Sequence, residues 1–139
     1  MAERTLSYDA VAAGDTAPAI SHPLTRTDLV MYAGASGDYN PMHTDEVAAK
    51  AAGLSSVFGH GMFTAGLLAT AVTNYVGTGT LKSYRVRFTK QTWPGETLTT
   101  NVTVREKRAG NEVVLDCSVV NDAGEEKIRG EAVAVLVSR

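Results

Sequence analysis

The 139-residue chain has one cysteine, Cys117, so it forms no intrachain disulfide and no cysteine-rich metal centre. It also lacks a surplus of either charge: thirteen Lys and Arg stand against fifteen Asp and Glu, a formal net charge of −2. No basic face or polybasic run therefore argues for nucleic acid or for an anionic membrane surface. No stretch is apolar over the about eighteen residues that would cross a bilayer, and the opening MAERTLSYDA has no apolar core of the kind a secretory signal carries. A cytoplasmic protein is expected. The three histidines show no close ligand spacing such as HExxH, so no metal and no cofactor is expected.

What remains is an ordinary globular composition, 44% apolar and 20% charged, in a length that suits one core. Residues 1–139 are read as a single domain. The first stretch, as far as Pro18, reads as irregular or as an edge element, with a short strand over residues 19–24. Thr25, three residues ahead of Asp28 and just before Leu29, Val30, Tyr32 and Ala33, makes a capping arrangement for a short helix that ends at the glycines. Ala35-Ser36-Gly37-Asp38 is turn chemistry, and Pro41 pushes Asn40 toward an extended conformation. Thr44 is expected to cap a second helix, with Asp45 and Glu46 at its positive end and Lys50 in its last turn before Gly53.

The later run MFTAGLLATAVTNYV is apolar almost all round and free of proline, which predicts a buried helix of about four turns. Ala65, Gly66, Ala69 and Ala71 let other backbone approach it closely. The rest of the chain alternates with period two. Tyr84, Val86 and Phe88 alternate with Arg85, Arg87 and Thr89; Leu98, Val102 and Val104 follow the Pro94-Gly95 turn. Val113, Leu115, Cys117 and Val119 form a third strand after Ala109-Gly110-Asn111, and Asn121 to Gly124 turns into a last strand ending near Val137. Cys117 on such a face is expected to be buried and inert rather than nucleophilic. One wholly apolar helix and several half-apolar strands describe an α+β layer, an antiparallel sheet curled round a long central helix. A sheet this small leaves an unpaired edge, and pairing with a second copy is one remedy, so a dimer is expected.

Asp38, Asn40 and His43 are crowded into a loop stiffened by Gly37 and Pro41, between two short helices. Such loops are frequent homes of sites. A carboxylate and an imidazole together can hold one water from two directions and exchange protons with it. The competing reading makes Asp38 a turn cap, Asn40 a local hydrogen-bonding residue and His43 the end of a loop. His60 precedes the apolar helix, where free backbone N–H groups and the helix dipole favour developing negative charge, and Gly61 is the natural donor. The alternative there is a plain loop-to-helix junction, with His60 structural. His22 is assigned no role. Lys82, Arg85, Arg87 and Lys90 can meet phosphates or form a solvated strand face.

YAGASGDYNPMHTDEVAAKAAG followed by FGHGMFTAGLLATAV resembles the MaoC-like, or hydratase 2, family. Tyr32, Ser36, Gly37, Asp38, Asn40, Pro41, Met42 and His43 fit that family's signature, Ala49 its last position, and the HGM element and Pro94 to Glu96 extend the likeness over most of the chain. The resemblance implies a hot-dog fold and reversible hydration of trans-2-enoyl thioesters to (R)-3-hydroxyacyl thioesters, carried on CoA or acyl carrier protein. It implies that Asp38 and His43 activate water and provide for protonation, that Gly61 N–H binds the thioester oxygen, and that Asn40 orients the pair. Ser36, His60, Met62 and Ala69 are the candidate substrate contacts. Some stand-alone hydratases carry serine where Ala69 stands, and the smaller side chain leans toward medium or longer acyl chains. The chain looks most like the catalytic subunit of mycobacterial-type acyl-carrier-protein dehydratases, which implies a homodimer or a heterodimer with a related hot-dog subunit. A half inactive without its partner, and a hot-dog thioesterase, are the alternatives, since fold alone does not decide function.

Overall fold

The computed structural model describes residues 6–138; part of the opening stretch read above for a signal, and Arg139, lie outside them. After a 3-10 turn at Tyr8–Ala10 come β1 (Ser21–Pro23), α1 (Arg26–Ser36), a 3-10 turn at Pro41–His43, α2 (Glu46–Ala51) and α3 (Gly61–Val76). Four longer strands complete the chain: β2 (Leu81–Phe88), β3 (Thr97–Arg108), β4 (Glu112–Val120) and β5 (Glu126–Val135). No helix among the described residues is long and apolar enough to cross a membrane.

Among the described residues the strands form one antiparallel sheet in the order β1-β3-β4-β5-β2. The β3-β4-β5 meander follows from two tight turns, one with Gly110 and Asn111 at φ 78° and 59°, the other closed by Gly124 N–H donating to the Asn121 carbonyl at 3.0 Å. Register shifts at Leu81/Ser83, Val104/Glu106 and Val119/Val120 add local twist, which bends the sheet. Gly130 lets β2 lie close on β5: a Cβ there would stand 2.0 Å from the Arg85 carbonyl oxygen. The concave face wraps α3, which packs on β2, β3, β4 and β5.

The alternation predicted for the strands places Val102, Val104, Val113, Leu115, Cys117, Val119, Ile128 and Ala132 in one hydrophobic cluster with Leu68, Ala71, Val72 and Val76 of α3. That cluster also takes in Val11, Leu24 and Leu136, so it joins both ends of the described chain. The Tyr84 hydroxyl donates to the Ala65 carbonyl at 2.7 Å and pins β2 to the helix. α3 matches the predicted four turns.

Local expectations differ in four places. Ala35 and Ser36 belong to α1, which stops only at Gly37, where a left-handed φ of 76° ends the helix. Thr44 does not cap α2: Asp45 does, its carboxylate accepting from Val47 N–H at 3.0 Å and Ala48 N–H at 3.2 Å, while Thr44 closes the preceding 3-10 turn. The first strand is confined to three residues, Ser21–Pro23; upstream the chain still follows the β3 edge, through Thr100 N–H to the Ile20 carbonyl, Ala17 N–H to the Val102 carbonyl and a single bridge of Thr16 with Thr103, but not as a continuous ladder. Phe88 leaves the apolar face of β2 and is 52% exposed, its ring lying against Gly61.

Candidate active site

The loop between α1 and α2 is built from short side chains that take backbone N–H groups two residues ahead. Ser36 Oγ accepts from Asp38 N–H (3.2 Å), Asp38 Oδ1 from Asn40 N–H (3.2 Å), and Asn40 Oδ1 from Met42 N–H (3.1 Å). Each bond replaces one that regular structure would have made, so the loop holds its shape by itself. With Oδ1 committed, Asp38 presents Oδ2 toward two imidazoles. His43 Nε2 lies 3.9 Å from Asp38 Oδ2, and His60 Nε2 lies 4.0 Å from the same oxygen.

Both rings are buried, His43 at 8% exposure and His60 at 3%, and they stack with centroids 3.8 Å apart and planes 26° apart. Asp38 is half-exposed, so the site opens on the carboxylate side. His43 Nδ1–H donates to the Phe58 carbonyl at 2.6 Å, which leaves the lone pair of the neutral ring on Nε2, facing Asp38. His60 Nε2–H donates to the Asp38 carbonyl at 3.1 Å. Further rings buttress the pair: Tyr32 meets His60 at 4.9 Å and Phe63 at 5.5 Å, Phe63 meets His22 at 5.6 Å, and Phe58 meets His43 at 4.8 Å and Trp93 at 6.0 Å.

The elements carrying the loop are tied from outside. Thr25 and Asp28 form the reciprocal capping bonds expected from their spacing, at 3.1 and 2.9 Å, and His22 Nε2 reaches the same Asp28 oxygen at 2.9 Å. Burial raises the Asp28 pKa, but bonds from Thr25 and His22 outweigh it and hold the carboxyl below its ordinary value. Glu46 of α2 accepts from Arg26 of α1 at 2.6 Å, from Ser56 at 3.2 Å and from Val57 N–H at 3.4 Å. The Arg26 hydrogen bond chiefly, against a smaller cost of burial, lowers the Glu46 pKa to about 2.

A gap of 3.9 Å between Asp38 Oδ2 and His43 Nε2 is too long for a direct hydrogen bond. It suits one water, whose two contacts of about 2.8 Å would subtend about 90°. Asp38, His43 and His60 also form a group with the chemistry of metal ligands, their nearest atoms all within 4.8 Å, which no spacing in the sequence had suggested. His60 Nε2–H is committed to the Asp38 carbonyl, and His43 Nδ1–H to that of Phe58, so of the ring nitrogens near Asp38 Oδ2 only His43 Nε2 has a lone pair to offer. That arrangement fits a water better than a tetrahedral ion.

Gly61 opens α3 directly after His60, where N–H groups of the first turn have no carbonyl behind them. A cavity of about 280 Å³ begins at Gly61 and is bounded by Phe58, Thr64, Phe88 and Lys127. Lys127 is buried and donates to Glu96 and to the Gln91 carbonyl, both at 2.9 Å, fixing the wall of this cavity. Of the other predicted residues, Met62 is exposed on the first turn, and Ala69 is eight residues beyond Gly61, about 12 Å along the helix. Ser36 and Asn40 shape the loop. Among the strand cations, Lys82, Arg85 and Lys90 meet Glu112, Glu131 and Glu125. Sequence reasoning missed Phe58, because its contribution is a backbone carbonyl. It also missed Thr64, although a threonine inside an apolar run was a visible signal.

A curled antiparallel sheet on one central helix is the hot-dog fold, here with an Asp/His pair at the N-terminal end of that helix. The chain belongs to the MaoC like domain family, whose model matches residues 10–124. It is 26% identical to the (R)-specific enoyl-CoA hydratase of Rhodospirillum rubrum, over 95% of this chain and 92% of that protein. The unliganded R-hydratase PhaJ1 from Pseudomonas aeruginosa superposes with a TM-score of 0.88 at 27% identity, covering 97% of this chain and 88% of that one. Fatty acid synthase subunit beta of Aspergillus oryzae is 34% identical over 76% of this chain. The chain spans only 5% to 32% of the length of that protein and of two further, longer curated relatives.

Proposed function

We propose that this protein catalyses the reversible addition of water to trans-2-enoyl thioesters, giving (R)-3-hydroxyacyl thioesters, and so acts as a hydro-lyase. The observation that carries this reading is the separation of Asp38 Oδ2 and His43 Nε2, 3.9 Å, with the His43 tautomer set by the Phe58 carbonyl. A water held between them gives a proton to His43 Nε2 as its oxygen bonds to Cβ, and the C=C electron pair moves through Cα onto the thioester oxygen. Gly61 N–H receives that enolate oxygen at the head of α3, where the helix dipole favours it. Protonation at Cα by the same acid–base pair completes the addition, and dehydration is the reverse. The relatives of similar length, a hydratase of Rhodospirillum rubrum and one of Pseudomonas aeruginosa, support the same reaction.

Residues 1–139 act in this reading as one domain, paired through the exposed β2 edge with a second copy or a related hot-dog subunit. The location is the cytoplasm, although some relatives are peroxisomal by name. The test is spectrophotometric. Crotonyl-CoA or octenoyl-CoA mixed with the protein loses its enoyl-thioester absorbance, and Asp38→Asn and His43→Gln each lower kcat by about 10²–10⁴-fold with an unchanged circular dichroism spectrum. Full activity in both variants would discard the mechanism, and release of free thiol in place of hydration would identify a thioesterase.

A further inference from the structure

His60 occupies a position that the water chemistry above does not use. It is 3% exposed, stacked on His43 at 3.8 Å, edge-on to Tyr32 at 4.9 Å, and bonded through Nε2–H to the carbonyl of Asp38 at 3.1 Å. One side chain therefore touches both members of the pair, the ring of one and the backbone of the other. Asn40 also bonds to both, its N–H donating to Asp38 Oδ1 at 3.2 Å and its carbonyl accepting from His43 N–H at 3.0 Å, but it holds the backbone of His43, whereas His60 meets the ring. Its second nitrogen, Nδ1, is buried without a hydrogen-bond partner, and so is the hydroxyl of Thr64; they are the two such side-chain atoms among the described residues. Thr64 lies four residues beyond His60, the N-cap of α3, and so about one turn into that helix.

Their chemistry is complementary. With Nε2–H given to Asp38, Nδ1 is an acceptor, and the Thr64 hydroxyl has a proton to donate. Thr70 and Thr73 of the same helix spend theirs on the carbonyls of Gly66 and Ala69, at 2.9 and 3.0 Å. Threonine in a helix divides between two χ1 rotamers, so one rotation can aim the Thr64 hydroxyl toward the turn before it. Buried polar atoms left without partners are costly, which favours their pairing.

We propose that His60 is a positioning residue that sets the distance between Asp38 and His43, and that Thr64 holds His60 in the Nε2–H tautomer this requires. The two stacked imidazoles then carry opposite tautomers, Nδ1–H on His43 and Nε2–H on His60. The kinetic part of the proposal rests on the hydratase reading; the tautomers do not.

Long-range 1H–15N spectra of the wild-type protein, near pH 8, read both tautomers without any turnover. His60→Gln keeps an N–H near Nε2 but removes the stack, and His60→Phe keeps the stack but removes the donor. With crotonyl-CoA each lowers kcat, about tenfold for Gln and about 100-fold for Phe, with KM within about twofold, because displacement of reacting groups by about 1 Å costs rate at this scale. Thr64→Val shifts the His60 15N resonances toward a tautomer mixture and lowers kcat severalfold, and Thr64→Ser restores both. An Nδ1–H tautomer on wild-type His60, or wild-type kcat in both His60 variants, overturns the role of His60. Unchanged His60 resonances in Thr64→Val overturn that of Thr64. Expected tautomers in a protein inactive on enoyl thioesters would instead refute the hydratase reading.

Discussion

Cys117 shows how residue chemistry follows from placement on one face of a strand. It lies among Val102, Leu115, Val119 and Ala132 in the core, 3% exposed, and burial above all pushes its thiol pKa up to about 12. The thiolate is the reactive species, so the native protein at pH 8 should resist an aromatic disulfide reagent and release one equivalent of colour only on unfolding in guanidinium. Rapid labelling of the folded protein would contradict the packing described. Period-two alternation made this burial legible beforehand, as the GDYNPMH segment made Asp38 and His43 legible. The Phe58 carbonyl that orients His43 was not, because every residue has a carbonyl and side-chain identity does not reveal which one is aimed at a ring.

At the scale of elements, the candidate site depends on how α1 and α2 are held on either side of their loop. The capping box of Thr25 and Asp28 was readable because its two bonds close within four residues. The cap of α2 is Asp45 and not the expected Thr44; φ and ψ at the junction decide that, and they depend on the 3-10 turn before it. The strut between the helices, Arg26 to Glu46, joins residues twenty apart and left no mark in the pattern. It makes a pH prediction. The folded pKa of Glu46 is about 2 against an ordinary 4.5, so its contribution to stability is complete above about 4.5 and is lost as pH falls through about 2. The melting temperature of the wild type should exceed that of Glu46→Gln at pH 7, with the difference shrinking below pH 4.5 and vanishing near pH 2. A difference independent of pH would assign the effect to packing.

For the whole molecule, the sheet order leaves β2 at one margin, eight residues long with Phe88 exposed at its end, and such an edge invites another strand. Sedimentation equilibrium of the purified chain, alone or with a related subunit, should give a particle of two chains near neutral pH, each copy of this one contributing 14.7 kDa. A single-chain mass under both conditions would reject pairing. By itself the sequence determined the buried helix, the alternating strands, the turns between them and the loop bearing Asp38 and His43, because periodicity, capping and turn chemistry act between near neighbours in the chain. Only the tertiary structure decided that β1 and β2 lie at opposite margins, that His60 stacks on His43, and that the Phe58 carbonyl and the Asp38 carbonyl select the two ring tautomers. Those depend on distances between residues far apart in sequence, and on backbone groups that all residues share, so they exist only once the sheet has closed on α3.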